Sequence, residues 1–294
     1  MYCSNPMQAA SFVRTCGSFL ARYRSTLSRG HFAGRPREPR ESLTEGVAQC
    51  GLGLGIPRKD NPKGSNSGMP LRLMPLGGSI TYGVGSPDGN GYRKALYDTL
   101  VVRGYMTTMV GSRQSGTMDN NHHEGWRGLR IEQIHAKAKK SITAARLSLS
   151  PDVYLVNAGL NDCLQDSRIG SAGARLDALV EDLWAPAAAP VPGARATVIL
   201  STLLVSSDRK VNARVRSVNE QIRDLVKMNR AKGKHILLAE MYDGVEKGPG
   251  LQDLGDDGIH PNAGGYSKMA MVWANSIDVA FKAGMLRSSG GSST

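Results

Sequence analysis

Cysteine is scarce. Of four in 294 residues, only Cys163 lies beyond residue 50. A disulfide-built scaffold is therefore excluded. No stretch approaches eighteen consecutive apolar residues, which excludes a spanning helix of that kind. Aromatic residues make up 5 %, too few for an obvious base-stacking platform. No P-loop lysine motif is present. The adjacent His122 and His123 lack the i, i+4 spacing of a helical zinc pair, so no metal site is expected. Acidic residues are missing from the first 37 positions, which hold Arg14, Arg22, Arg24, Arg29, Arg35 and Arg37.

Positive charge, by contrast, is in excess. The net charge is +12, which raises the question of nucleic acid. Residues 1–69 hold ten Lys/Arg against four Asp/Glu, and residues 70–294 hold twenty-seven against twenty-one. Half the excess sits in the first quarter of the chain. With no groove-reading motif and no concentrated basic stripe, no nucleic-acid partner is expected.

The chain divides near residue 69. Residues 1–69 are rich in Gly, Pro and charge and carry no sustained apolar pattern, so a mostly disordered basic extension is expected. Its Arg-rich, acid-free start resembles a mitochondrial transit peptide; a plain tail fits the same composition. No apolar segment followed by a small-residue cleavage site reads as a secretory signal. Residues 287–294 read as a disordered polar tail.

Residues 70–286 read as one domain. Strands are expected at 71–77, 105–111, 151–159, 196–204 and 234–241. Helical spacing of apolar residues predicts helices at 91–104, 129–148, 174–185, 212–233 and 265–284. Five short strands separated by helices predict an α/β fold, a three-layer α/β/α sandwich with a five-stranded parallel sheet of flavodoxin-like type. In such sheets the chemistry lies beyond the carboxyl ends of the strands.

Four segments at or near strand ends carry chemistry-bearing residues. Gly77-Gly78-Ser79-Ile80-Thr81 follows the first strand. Ser79 reads as an exposed hydroxyl with a free N–H, or as a helix cap. His122-His123-Glu124-Gly125-Trp126-Arg127-Gly128-Leu129 reads as a loop and turn before a helix, with Gly128 able to offer a bare N–H. Asn157-Ala158-Gly159-Leu160-Asn161-Asp162 follows the third strand. Asn161 could present an amide there, and Asp162 reads as a loop-fixing carboxylate. Asp256-Asp257-Gly258-Ile259-His260-Pro261 precedes the last helix. An Asp three residues before a His can fix its tautomer and leave Nε2 as a base. The spacing around Ser79 is not the G-x-S-x-G elbow.

With all four segments in order, the sequence resembles the SGNH hydrolase superfamily, the GDSL-type esterases and lipases. The resemblance covers roughly residues 71–283. It is strongest towards the branch of carbohydrate esterases and fungal secreted acylhydrolases, through LMPLG before the serine, HEGWRG and HPNAGGYSKMA. It implies a serine esterase with Ser79, His260 and Asp257 as catalytic residues and Ser79, Gly128 and Asn161 as the oxyanion hole. Gly128 is taken as the oxyanion glycine in preference to Gly125. Trp126, Arg127 and Tyr82 stand where substrate contact is expected, though Trp126 and Tyr82 also read as ordinary packing, as does Tyr92. The expected substrate is a small ester, acetylated or short-acyl, with carbohydrate as a candidate alcohol; lysophospholipase-like activity is a further expectation. No cofactor is implied, and the protein is expected to be a monomer. The family branch implies secretion, against the transit-like start.

One departure stands out. The family usually has Gly-Asp-Ser, whereas this chain has Gly77-Gly78-Ser79. Glycine loosens the backbone beside the serine and removes a carboxylate. A degenerate domain that binds carbohydrate without turnover is the alternative. A nucleotide-binding flavodoxin-like domain is a further one, though Gly77–Gly83 holds no lysine for phosphate.

Overall fold

The computed structural model describes residues 68–145, 151–185, 196–242 and 248–286. The expected N-terminal extension, up to residue 67, and the tail after 286 lie outside the described residues. So do residues 146–148 of the second expected helix, 129–148.

The five expected strands form. They are β1 (Met69–Gly77), β2 (Tyr105–Met109), β5 (Val153–Asn157), β6 (Thr197–Ser201) and β7 (Ile236–Ala239). All five pair in parallel, in the order β2-β1-β5-β6-β7. Every residue of β5 and β6 is buried, as expected for strands covered on both faces.

Two further strands were not expected. β3 (Arg113–Gln114) pairs antiparallel with β4 (His122–Gly125), and β4 pairs parallel with β1. The segment His122–Gly125, read as loop and turn, is thus corrected to strand. The sheet has seven strands, not five. The cause is an exchange of partners along β1. Residues 69–73 pair with β2, whereas Leu76 and Gly77 pair with β4. Pro75 lies at the changeover. Leu73 accepts from Val110 N–H and Gly77 accepts from Trp126 N–H on this edge. By strand alternation Pro75 nitrogen faces the same edge. A central proline is normally excluded from a sheet for want of a donor; here the missing donor falls where no strand needs it.

The helices are α1 (Ser79–Tyr82), α2 (Tyr92–Val102), α3 (Ile131–Ala145), α4 (Leu160–Leu164), α5 (Ala172–Trp184), α6 (Arg209–Ala231) and α7 (Ala263–Lys282). α2 packs on α7, and α3, α5 and α6 pack in a row, giving the two outer layers. α6 buries Val211, Val215, Val218, Ile222 and Leu225 at helical spacing. Asp208 caps it by accepting from Lys210 and Val211 N–H. α7 buries Tyr266, Met269, Trp273 and Ile277. Asn262 caps it by accepting from Gly265 N–H. No described helix is long and apolar enough to cross a membrane.

Candidate active site

The carboxyl end of β1 is tightly fitted. Gly77 pairs with Asn157 on one side and Gly125 on the other. A Cβ on Gly77 would lie 2.2 Å from Asn157 O and 2.5 Å from Thr81 Oγ1. No real side chain survives that approach, so glycine is required. Gly78 is different. Its φ is −92°, and a Cβ there would meet only Asn161 Nδ2, at 3.5 Å.

Ser79 opens the single turn α1. The first N–H groups of a helix have no acceptor within it. Ser79 is half-buried, and its Oγ lies 2.7 Å from His260 Nε2. His260 sits two residues before the cap of α7. Its Nδ1 lies 2.6 Å from Asp257 Oδ2, and its backbone N–H donates to Asp257 Oδ1 at 2.9 Å. Nδ1 beside a carboxylate is the protonated nitrogen, which leaves Nε2 to accept from Ser79. Burial alone would raise the Asp257 pKa. The bonds from the His260 ring and from two backbone N–H groups outweigh it and hold the carboxyl below its ordinary value. The turn is fixed by Gly258, at φ +66°. A Cβ on it would lie 1.8 Å from Ser207 Oγ.

Asn161 stands in the first turn of α4, beyond the end of β5. One of its amide protons donates to Leu129 O at 3.0 Å. The other makes no hydrogen bond among the described residues. The neighbouring Asp162 is fully buried. Its Oδ2 accepts from Ile131 N–H at 3.0 Å and its Oδ1 from Arg175 Nη1. Asp162 is thus a loop-fixing carboxylate, as its sequence position suggested. Between these elements lies a small cleft lined by Gly78, Ser79, Ile134, Leu160 and Asn161, with Leu129. It encloses about 220 Å³, part of it open to solvent.

Gly128 lies in the exposed turn between β4 and α3, at φ +75°, and a Cβ on it would meet nothing within 4 Å. Gly125 N–H donates to His123 Nδ1 at 2.9 Å and is committed there. Trp126 and Tyr82 are half-buried and Arg127 is exposed. Tyr92 is fully buried, with its hydroxyl 3.3 Å from Thr81 Oγ1; it packs the core. Cys163 is also fully buried, and burial pushes its thiol up to about 12, so it is not a thiolate nucleophile.

Sequence reasoning missed Arg93. This fully buried residue donates to the carbonyls of Tyr82, Gly89, Ser115 and Asn121. It ties the segment after α1 to the β3–β4 hairpin. In sequence it is one more cation on an amphipathic helix, with no local signal. His123 stands out in the sequence only as an unsuitable metal ligand. It is fully buried, with Nε2 2.7 Å from Ser115 Oγ. Burial, then the nearby Arg93 and Arg113, push it down to about 3.

The model of the GDSL-like lipase/acylhydrolase family matches residues 76–268. A multidomain esterase of Ruminococcus flavefaciens is 28 % identical over 267 residues, covering 82 % of this chain and 32 % of that protein. The chain thus spans about a third of the length of that curated relative. A family 3 carbohydrate esterase of Clostridium thermocellum superposes with TM-score 0.61 at 23 % identity, covering 73 % of this chain and 98 % of the other. A carbohydrate esterase family 3 structure from Talaromyces cellulolyticus gives 0.56 at 21 % identity, with 72 % and 99 % covered. These two likenesses establish a shared fold.

Proposed function

We propose, from the premise that this chain belongs to the GDSL-like lipase/acylhydrolase family, that it hydrolyses carboxylic esters with Ser79 as nucleophile. The observation that carries this reading is the unbroken run Ser79 Oγ, His260 Nε2, His260 Nδ1, Asp257 Oδ2, at 2.7 and 2.6 Å. His260 takes the Ser79 proton as Oγ attacks the ester carbonyl. Asp257 holds the ring in the required tautomer and stabilises its charged form. The developing oxyanion is met by the N–H of Ser79, the N–H of Gly128 and the free amide proton of Asn161. His260 then protonates the leaving alcohol. Water, activated by the same ring, attacks the acyl-enzyme and releases the acid.

The small cleft and its apolar Leu129, Ile134 and Leu160 favour a short acyl group, such as acetyl. Carbohydrate is the favoured alcohol, in line with the resemblance of the sequence; lysophospholipase-like activity is the second candidate. Residues 70–286 form the catalytic domain in this reading.

The test is hydrolysis of p-nitrophenyl acetate by the full chain. Ser79→Ala should lower kcat by at least about a thousandfold. Asn161→Ala should lower it by about 10²–10³. Wild-type turnover in Ser79→Ala would overturn the assignment. A folded wild type without turnover, rescued by Gly78→Asp, would favour the carbohydrate-binding module.

A further inference from the structure

Cations and aromatic rings alternate across α1, the β3–β4 segment and α3. The Arg127 guanidinium lies 5.6 Å from the centre of the Tyr82 ring, and that of Arg113 lies 5.6 Å from the same centre. Arg113 is also 4.2 Å from the Trp126 ring, and Lys137 Nζ is 4.4 Å from it. The order is therefore Arg127, Tyr82, Arg113, Trp126, Lys137. The row is anchored at the nucleophile. Tyr82 ends the turn that Ser79 begins. Trp126 N–H donates to Gly77 O at 2.8 Å, two residues before Ser79.

The cations of the row are not ion-paired. Among the described residues, Arg113, Arg127 and Lys137 make no ion pair with a carboxylate. Arg113 Nε is buried without a hydrogen-bond partner. The acid beneath the row is Glu124, fully buried. Both its oxygens are occupied, one by Trp126 Nε1 at 3.0 Å and the other by Ser112 N–H. Arg93, behind Tyr82, bonds to carbonyl and hydroxyl oxygens and adds further positive charge. The depressed His123, whose ring stands edge-on to Tyr82 at 5.5 Å, feels the same field. Cation–π contact holds such groups in place, yet leaves their charge and most of their donors unspent.

We propose that the ester cleaved here carries an oxyanion, carboxylate or phosphate, on its alcohol portion, held by Arg113, Arg127 and Lys137. The inference rests on ester hydrolysis at Ser79. The short apolar cleft takes the acyl end, so the charged row is left to meet the alcohol end. A guanidinium fork matches either oxyanion.

The test compares acetate release from three acetylated sugars: methyl glucoside, methyl glucuronide and glucose 6-phosphate. Wild type should favour a charged substrate over the neutral one by about tenfold or more in kcat/KM at low salt. The advantage should shrink as salt rises. Which charged sugar leads identifies the oxyanion. Arg127→Gln and Lys137→Gln should each lower the charged-to-neutral ratio severalfold, through KM. A ratio of one or less in wild type, or a ratio that neither substitution moves, overturns the proposal. If no ester turns over, the hydrolysis reading fails by itself. Equilibrium binding of unacetylated methyl glucuronide and glucose 6-phosphate against methyl glucoside then decides this inference, and binding no tighter than that of the neutral sugar overturns it.

Discussion

Asp257 holds His260 twice, through the ring nitrogen Nδ1 at 2.6 Å and through the backbone N–H at 2.9 Å. One oxygen sets the position of the residue, and the other sets the tautomer of its ring. Asp257→Asn separates the two roles. The amide oxygen can still accept from the backbone, but the ring loses its carboxylate. The expected result is a folded protein with kcat lower by roughly 10²–10⁴. Steady-state kinetics beside circular dichroism checks it; kcat within threefold of wild type would show that the carboxylate is dispensable.

Gly77 and Gly78 should respond in opposite ways. Gly77→Ala drives a Cβ into Asn157 O and should destabilise by about 1–3 kcal/mol or more, with activity falling as Ser79 shifts. The Cβ of Gly78→Asp meets only ordinary contact with Asn161 Nδ2, and this variant should keep the wild-type Tm within a few degrees. Thermal unfolding of both variants is the check. Equal losses at the two positions would contradict the geometry.

His123 makes stability depend on pH. The folded protein holds its ring neutral, pushed down to about 3 from the ordinary 6.5. Between those values the unfolded chain binds a proton that the folded chain refuses. Stability therefore falls as pH drops through this window. Between pH 7 and about pH 4.5 the expected loss from this residue is about 2.5 kcal/mol. Urea unfolding of wild type and His123→Gln at both pH values isolates it. The same pH dependence in both proteins would show that the ring does not contribute.

Arg175 should matter more than its distance from Ser79 suggests. It bonds to fully buried Asp162 and to Glu132 Oε2 at 2.7 Å, and Asp162 adjoins Asn161. Arg175→Met leaves a buried carboxylate without its cation, at a cost of about 3–5 kcal/mol. Adding Asp162→Leu to Arg175→Met should recover part of that stability, because it removes the stranded charge. A double variant less stable than the single one by the full cost of Asp162→Leu alone would show that the two are not coupled.

The sheet was legible where burial is complete. Val153–Asn157 and Thr197–Ser201 are apolar or β-branched runs with no exposed position, and their pattern carries the assignment. β4 was not legible. His122, His123 and Glu124 have little strand preference, and they pair because the end of β1 offers an open edge. The positions of Ser79, Asn161, Asp257 and His260 beyond strand ends were readable from order and spacing. That Ser79 and His260 meet from 181 residues apart is a result of the fold. Arg93, Arg113 and Lys137 were invisible as site residues. Each reads alone as a solvated cation, and their partners are distant in sequence.

The exchange of neighbours at Pro75 has a consequence for how this protein could diversify. β2 braces the first half of β1 and the core beneath it. The second half is braced by β4, which also carries Trp126 and leads into Arg127. The stretch from 110 to 128 is therefore a cassette inserted between two independent anchor points. In the reading proposed above this stretch carries the oxyanion donor Gly128 as well as Trp126 and Arg127, so a change in its length or composition alters hydrolysis and substrate preference together, while Ser79, Asp257 and His260 keep their supports at the end of β1 and before α7.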